Sequence, residues 1–319
     1  MLFARQSVLW FVLMFSWCSS FFFQDERLAS RKCKEYQTRA MMAKQINVLT
    51  MYSDPIEITY SNCSNVDQLI VGGEPAKEGE FPHHALLGYP KNGDKLDFEF
   101  ICGGTLISRQ HVLTAAHCFA FRLPAVVRLN EYDTSVRSDR ELTVDIVAYR
   151  KHPNYTVKYS YCDIALAKLK EPVDVSMFVR PACLWETEQR TTTRFIATGF
   201  GRTQSQGSDL STVMMKVQLE EFPAEDCKRI VEGNRHWPTD MHDEDLCVGS
   251  ATEGHDTCEG DSGGPLQIVT NPRTCTYSVV AITTAGSRAC GISPSKAIYT
   301  KVSYYIDWIE DNVWGATAL

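Results

Sequence analysis

Three short stretches of this chain carry residue types that together could break an acyl bond. Ser262 stands in Gly260-Asp261-Ser262-Gly263-Gly264-Pro265, where glycines let the backbone present one hydroxyl close to a bound group. A serine hydroxyl is a poor nucleophile by itself; it needs a general base, and the base needs a group to orient it. His117, in Leu113-Thr114-Ala115-Ala116-His117-Cys118, offers an imidazole whose near-neutral pKa suits taking a proton and returning it. Asp163 precedes the apolar run Ile164-Ala165-Leu166, where a carboxylate is costly to bury unless hydrogen-bonded, and orienting His117 would supply that bond. The other histidines, including the pair His83 and His84, are read as surface or packing residues.

The elements that must position these groups are mostly strands. From Ile70 on, Ala85–Tyr89, Ile101–Ile107, Ala125–Leu129, Leu142–Tyr149 and Thr276–Thr283 are short β-rich runs, broken by turn residues such as Lys91-Asn92-Gly93-Asp94. That spacing suits sandwiches or barrels. Tyr304, Ile306, Trp308 and Ile309 recur at near-helical spacing, which predicts a C-terminal helix over Ser303–Asn312. Residues 24–69 read as a polar light chain, mostly an extended tether, with a short helical turn at Arg31–Tyr36 and only Cys33 and Cys63 as cysteines. Residues 1–23 carry Arg5 and then an apolar stretch from Ser7 to Phe23, the pattern of a removable signal peptide; the run is short and serine-bearing for a membrane anchor.

Composition narrows the classes further. The chain has 319 residues and a formal net charge of −7, an ordinary surface balance that speaks against nucleic-acid binding. Its 12 cysteines indicate an oxidising compartment, and without paired Cys-x-x-Cys motifs they do not read as a zinc site.

The motifs around His117, Asp163 and Ser262, in that order along the chain, resemble those of the trypsin/chymotrypsin family of secreted serine endopeptidases, over Ile70 to about Asp311. The resemblance implies an all-β fold of two six-stranded antiparallel β-barrels, with the active site between them and a C-terminal helix, in a protease domain spanning 70–319. It implies an oxyanion hole from the backbone N–H groups of Gly260 and Ser262. It also implies a zymogen. Cleavage at Leu69-Ile70 would create an ammonium at Ile70-Val71-Gly72-Gly73 that pairs with Asp261 and orders the neighbouring backbone. Leu69 replaces the basic residue common at such sites, which implies a chymotrypsin-like or leucine-tolerant activating protease.

Specificity, by the same resemblance, is set by Asp256 at the floor of the primary pocket, selecting arginine or lysine. Gly286 matches one pocket wall; Ala297 stands where trypsin has a second glycine, and Thr284 and Ala285 stand where serine and an aromatic residue are usual. The implied disulfides are Cys102–Cys118, Cys227–Cys247, Cys258–Cys290 and Cys63–Cys183, the last tethering the light chain. Cys33, Cys162 and Cys275 are left over, an odd mature count that implies a free or intermolecular thiol, and the usual partner position for Cys275 lies near Phe195. No cofactor is required. Glu131 and Glu141 match the spacing of the trypsin calcium loop and are candidate calcium ligands. Asn62-Cys63-Ser64 and Asn154-Tyr155-Thr156 are glycosylation acceptors.

Phe81-Pro82-His83-His84-Ala85, Arg180-Pro181-Ala182-Cys183-Leu184-Trp185 and Ala197-Thr198-Gly199-Phe200-Gly201-Arg202-Thr203 are similar to insect extracellular cascade proteases, although the light chain lacks a complete six-cysteine clip module. That likeness implies downstream zymogens or precursor ligands as substrates and a serpin-type inhibitor, with neither nucleic acid nor membrane as partner. The rival readings are a catalytically silent homologue serving as a binding module, against which all three of His117, Asp163 and Ser262 stand, and a digestive trypsin.

Overall fold

A computed structural model describes residues 26–49, 73–91, 94–157, 161–189, 192–202, 210–232, 241–250, 260–272, 274–286, 295–316 and 318–319. The fold class is as expected from the family resemblance. Strands β2 (His84–Lys91), β3 (Asp94–Ser108), β4 (His111–Thr114), β5 (Val126–Leu129), β6 (Leu142–Lys151) and β7 (Ala165–Leu169) close into a barrel in the order β2-β3-β4-β7-β6-β5. The fully buried Leu87, Leu106, Leu113, Val127, Leu129 and Leu166 fill it. These are the β-branched and leucine side chains that the short runs supply at alternate positions, as a one-sided strand requires.

The second barrel uses β9 (Arg194–Gly199), β10 (Met215–Glu221), β11 (Asp245–Ser250), β12 (Pro265–Asn271), β13 (Thr276–Gly286) and β14 (Ser295–Lys301). It closes because β9 pairs with both β10 and β12. Phe195, Leu219, Val248, Leu266, Ala281 and Tyr299 form its core. Two short strands extend it: β1 (Glu74–Pro75) lies antiparallel to β10, and β8 (Cys183–Leu184) parallel to β13. The predicted C-terminal helix is a 3₁₀ turn, Ser303–Tyr305, running into an α-helix, Ile306–Val313, whose Ile306, Ile309 and Val313 pack into the core cluster of the first barrel.

The light chain departs from the extended tether that its composition predicts. Leu28–Leu49 form a 22-residue helix, α1, far longer than a turn at Arg31–Tyr36. The physical reason is tertiary. Ala29, Cys33, Tyr36 and Ala40 recur at i, i+4, i+7 and i+11, so they share one face, and Ala29, Tyr36 and Ala40 are buried. Two alanines and a cysteine make a stripe too small to register as hydrophobic periodicity. The anchors are specific instead. Arg27 pairs with Asp307 at 2.7 Å and Glu310 at 3.2 Å. The Ala29 N–H donates to Glu310 Oε1 at 2.8 Å, satisfying a free N–H of the first helical turn from another element. Trp314 Nε1 donates to the Tyr36 hydroxyl at 3.3 Å. No helix among the described residues is long and apolar enough to cross a membrane. The proposed signal peptide at 1–23 and the junction Leu69-Ile70 lie outside the described residues.

Candidate active site

His117 and Asp163 are brought together by strand pairing. β4 and β7 are antiparallel neighbours, with Thr114 opposite Ala165, so the turn leaving β4 and the segment entering β7 meet at the same barrel end. His117 lies in a 3₁₀ turn, Ala116–Phe119, directly after β4. Asp163 is 1% exposed, and its carboxylate spends both oxygens on His117. Oδ1 accepts the His117 backbone N–H at 2.8 Å, and Oδ2 meets Nδ1 at 2.6 Å. The buried charge is thereby compensated, and the ring is turned so that Nε2 is its free nitrogen. Burial pushes the His117 pKa down, but the Asp163 charge and hydrogen bond outweigh it, and the imidazole ends above its ordinary value.

Ser262 and Gly260 face His117 across a cavity of about 530 Å³, walled also by Cys102, Cys118, Phe121 and Arg202. The loop that carries Ser262 is laced to both barrels. Its carbonyl accepts the Gly103 N–H of β3 at 2.7 Å, the Gly263 N–H donates to Thr283 O at 2.8 Å, and the Thr283 N–H returns to Gly264 O at 3.0 Å. Gly263 has φ +79°, and a Cβ there would come within 2.2 Å of Thr114 Oγ1 and 2.6 Å of Gly103 O. Only glycine fits that seam. Gly103 and Thr114 belong to the site without having been singled out in the sequence; the readable signal was Gly103-Gly104 beside Cys102.

Asp261 is buried in a cradle of glycines. Its Oδ1 accepts the Gly201 N–H at 2.8 Å. A Cβ on Gly199 would fall 1.9 Å from Asp261 Oδ1, and one on Gly201 would fall 2.4 Å from Oδ2. The pattern Gly199-Phe200-Gly201 thus exists for the carboxylate next to Ser262, a role that the sequence alone does not assign.

The remaining candidates fall in several places. Ala297 is fully buried in β14, its backbone opposite Gly286 and Val248. The Thr284 hydroxyl is buried and lies 2.7 Å from that of Thr300. Asp256 lies outside the described residues, as do Cys258, Cys290 and Asn62. Asn154 is exposed at a turn. Cys102–Cys118 and Cys227–Cys247 are disulfides. The pairing Cys63–Cys183 is corrected: Cys183 is bonded to Cys33, because α1 brings Cys33 against β8. Cys275, left unpaired by the sequence reading, is disulfide-bonded, with its partner outside the described residues. Cys162 is a free thiol.

Glu131 and Glu141 do converge, but on a cation that the chain itself provides. The Arg128 guanidinium lies 3.1 Å from Glu131 and 3.7 Å from Glu141, stacked over Phe100. The half-buried Arg128 guanidinium thus bridges the two carboxylates. Elsewhere among the described residues, only Cys102, His117 and Cys118 cluster as metal-type donors, and there the two sulfurs are bonded to each other. His83 and His84 are packing residues on the seam between the barrels: His83 bonds Gln267, and His84 Nδ1 lies 3.1 Å from Thr198 Oγ1. Burial holds their pKa values down at about 3 and about 4.

A carboxylate–imidazole couple facing a serine across a cleft between two antiparallel barrels defines a site suited to serine-based acyl transfer. Residues 70–309 match the Trypsin family, and the chain belongs to it. Among curated relatives, it is 35% identical to "Serine protease snk" of Drosophila melanogaster over 89% of this chain and 65% of that protein. It is 34% identical to "Venom protease" of Bombus pensylvanicus over 75% of this chain and 96% of that protein, and 32% identical to "Melanization protease 1" of Drosophila melanogaster over 79% and 69%. The chain thus spans just under two thirds of the length of the snk protease.

Proposed function

We propose that this chain is a secreted serine endopeptidase, made as a zymogen, that hydrolyses peptide bonds after arginine or lysine in an extracellular proteolytic cascade. The observation that carries the reading is the Asp163–His117 couple opening onto Ser262 in one cleft. In this reading His117 Nε2 takes the Ser262 proton as Oγ attacks the scissile carbonyl, and returns it to the leaving amine. Asp163 holds the ring in place and stabilises the imidazolium. The Gly260 and Ser262 N–H groups hold the oxyanion. Asp256 selects the basic side chain, with Gly286, Ala297 and Thr284 shaping the pocket around it.

Activation proceeds by cleavage at Leu69-Ile70, and the new ammonium joins Asp261 in its glycine cradle. Cys33–Cys183 then keeps α1 covalently attached. The activating partner is a chymotrypsin-like protease, the substrates are downstream zymogens or precursor ligands, and a serpin-type inhibitor ends the signal. Asn62 and Asn154 carry glycans.

The test is to cut the purified precursor with a chymotrypsin-like protease, confirm Ile70 as the new terminus, and assay arginyl, lysyl and phenylalanyl substrates beside a Ser262→Ala control. Activity after arginine or lysine, present only once cut and absent from the control, is the expected result. A correctly cut but inert protein would overturn the enzymatic reading. Faster cleavage after phenylalanine would overturn the role of Asp256.

A further inference from the structure

The backbone that presents Asp163 is strained. Cys162 has φ +51°, a left-handed conformation that non-glycine residues seldom adopt. The Ile164 N–H donates to Cys162 O at 2.7 Å, closing a three-residue turn with Asp163 at its apex. Such a turn persists only where its surroundings hold it. One side chain from the second barrel does so. Glu244, 7% exposed and one residue before β11, accepts the Cys162 N–H on Oε1 at 2.8 Å. Its Oε2 accepts the Tyr305 hydroxyl and lies 3.7 Å from Cys162 Sγ. Glu244 is fixed in turn, because its carbonyl accepts the Lys301 N–H of β14 at 2.8 Å. Tyr305 is 3% exposed, with the His152 ring against it at 5.0 Å, and the His152 N–H donates to Ile164 O at 3.0 Å.

We infer that Glu244 is a positioning residue for the reaction: from the second barrel, through Cys162 and Tyr305, it sets the height of the Asp163 carboxylate under His117. The assignment rests on the proposed serine-protease chemistry only for its kinetic consequence; the geometry it asserts is independent of activity. A carboxylate suits the task because it offers two acceptor atoms at fixed separation, one for a backbone N–H and one for a phenol, and bonds to a charged acceptor are the stronger kind. Small displacements matter here, since misplacing a reacting group by about 1 Å can cost on the order of a hundredfold in rate.

The experiment compares Glu244→Gln, Glu244→Leu and Tyr305→Phe in the cut, full-length protein. Kinetics are normalised to titrated active sites. The strongly downfield proton of the His117 Nδ1–H···Asp163 bond is followed by NMR in a Ser262→Ala background. Glu244→Leu is expected to lower kcat by at least about tenfold with KM little changed. It should also move the acid limb of the pH profile to lower pH, because a displaced Asp163 no longer holds the His117 proton, and shift the downfield proton upfield. Tyr305→Phe should do the same to a lesser degree, and Glu244→Gln, which keeps an acceptor for Cys162 N–H, should restore most of it. An unchanged downfield proton and acid limb in Glu244→Leu, with only a lower melting temperature, would overturn the inference. Should Glu244→Leu not fold, an unchanged resonance and acid limb in Tyr305→Phe would overturn it equally. A downfield proton that moves in a protein inert even as wild type would sink the enzymatic reading and leave Glu244 as the positioner of Asp163.

Discussion

The two barrels contribute unequally to the cleft. The first supplies both His117 and Asp163 from adjacent strands, and the carboxylate satisfies itself on the imidazole and on the backbone N–H of the same residue. The turn that carries Asp163 is steadied in addition by Glu244 from the second barrel. The second supplies Ser262 on a loop whose shape depends on where the Asp261 carboxylate sits, with Gly199 and Gly201 stripped of side chains to admit it. Strand register joins His117 to Asp163 in one half, with Glu244 of the second barrel steadying the turn; a buried carboxylate in a glycine cradle shapes the other. A zymogen built this way would have only its second barrel to switch.

The largest effect should come from the half that the first barrel supplies. Asp163→Asn keeps the shape but leaves the ring in the wrong tautomer, and kcat should fall on the order of 10⁴-fold, the size known for this change in the Ser-His-Asp template. Burst kinetics on the cut enzyme would check it; a fall of less than tenfold would mean that the couple is not what drives the chemistry. Next, Asp261→Asn or Gly201→Ala should cost about 10²-fold or more in kcat/KM, the rate equivalent of about 3 kcal/mol for breaking a buried pair, while the downfield His117 proton stays where it was. If that proton moved as well, the halves would not be independent.

Cys33→Ser sharpens the comparison from outside the cleft. It should lower the stability of the uncut protein by about 2–4 kcal/mol in denaturant titrations. The smallest effect concerns the seam. His83 and His84 are buried neutral, with pKa values of about 3 and about 4. Because these lie below the unfolded value, the native state resists protonation: stability is full above about pH 6.5 and drains away as pH falls toward 4. His84→Gln should recover about 2 kcal/mol at pH 4.5 and nothing at pH 7.5, measured as the shift in urea midpoint.

The residues of the candidate site were legible as a group because each stands in a short motif, and the structure brings His117 and Asp163 into contact and Ser262 to the same cavity. The β-class was legible from alternating runs such as Leu142–Tyr149, which became β6 with its alternating half-buried and exposed faces. The light chain was not, for a definite reason: α1 is held by a stripe of alanines, a disulfide and partners some 280 residues away, none of which leaves a local hydrophobic signature. The same blindness misassigned Cys183, since the pairing of Cys33 depends on a helix that the sequence did not announce. Arg128 between Glu131 and Glu141 illustrates a third limit: spacing marks where carboxylates converge, but not which cation meets them.

The docking of α1 also sets an order of events during synthesis. Arg27 and Ala29 are made some 280 residues before their partners Asp307 and Glu310. A chain made from its N-terminal side cannot complete that contact until the intervening 280 residues are out. Cys33 can meet Cys183 much sooner, once β8 is exposed. The bridge then holds α1 close to its eventual seat, so the final step is the arrival of the C-terminal helix at a platform already in place, and the long search between distant ends is reduced to a short one.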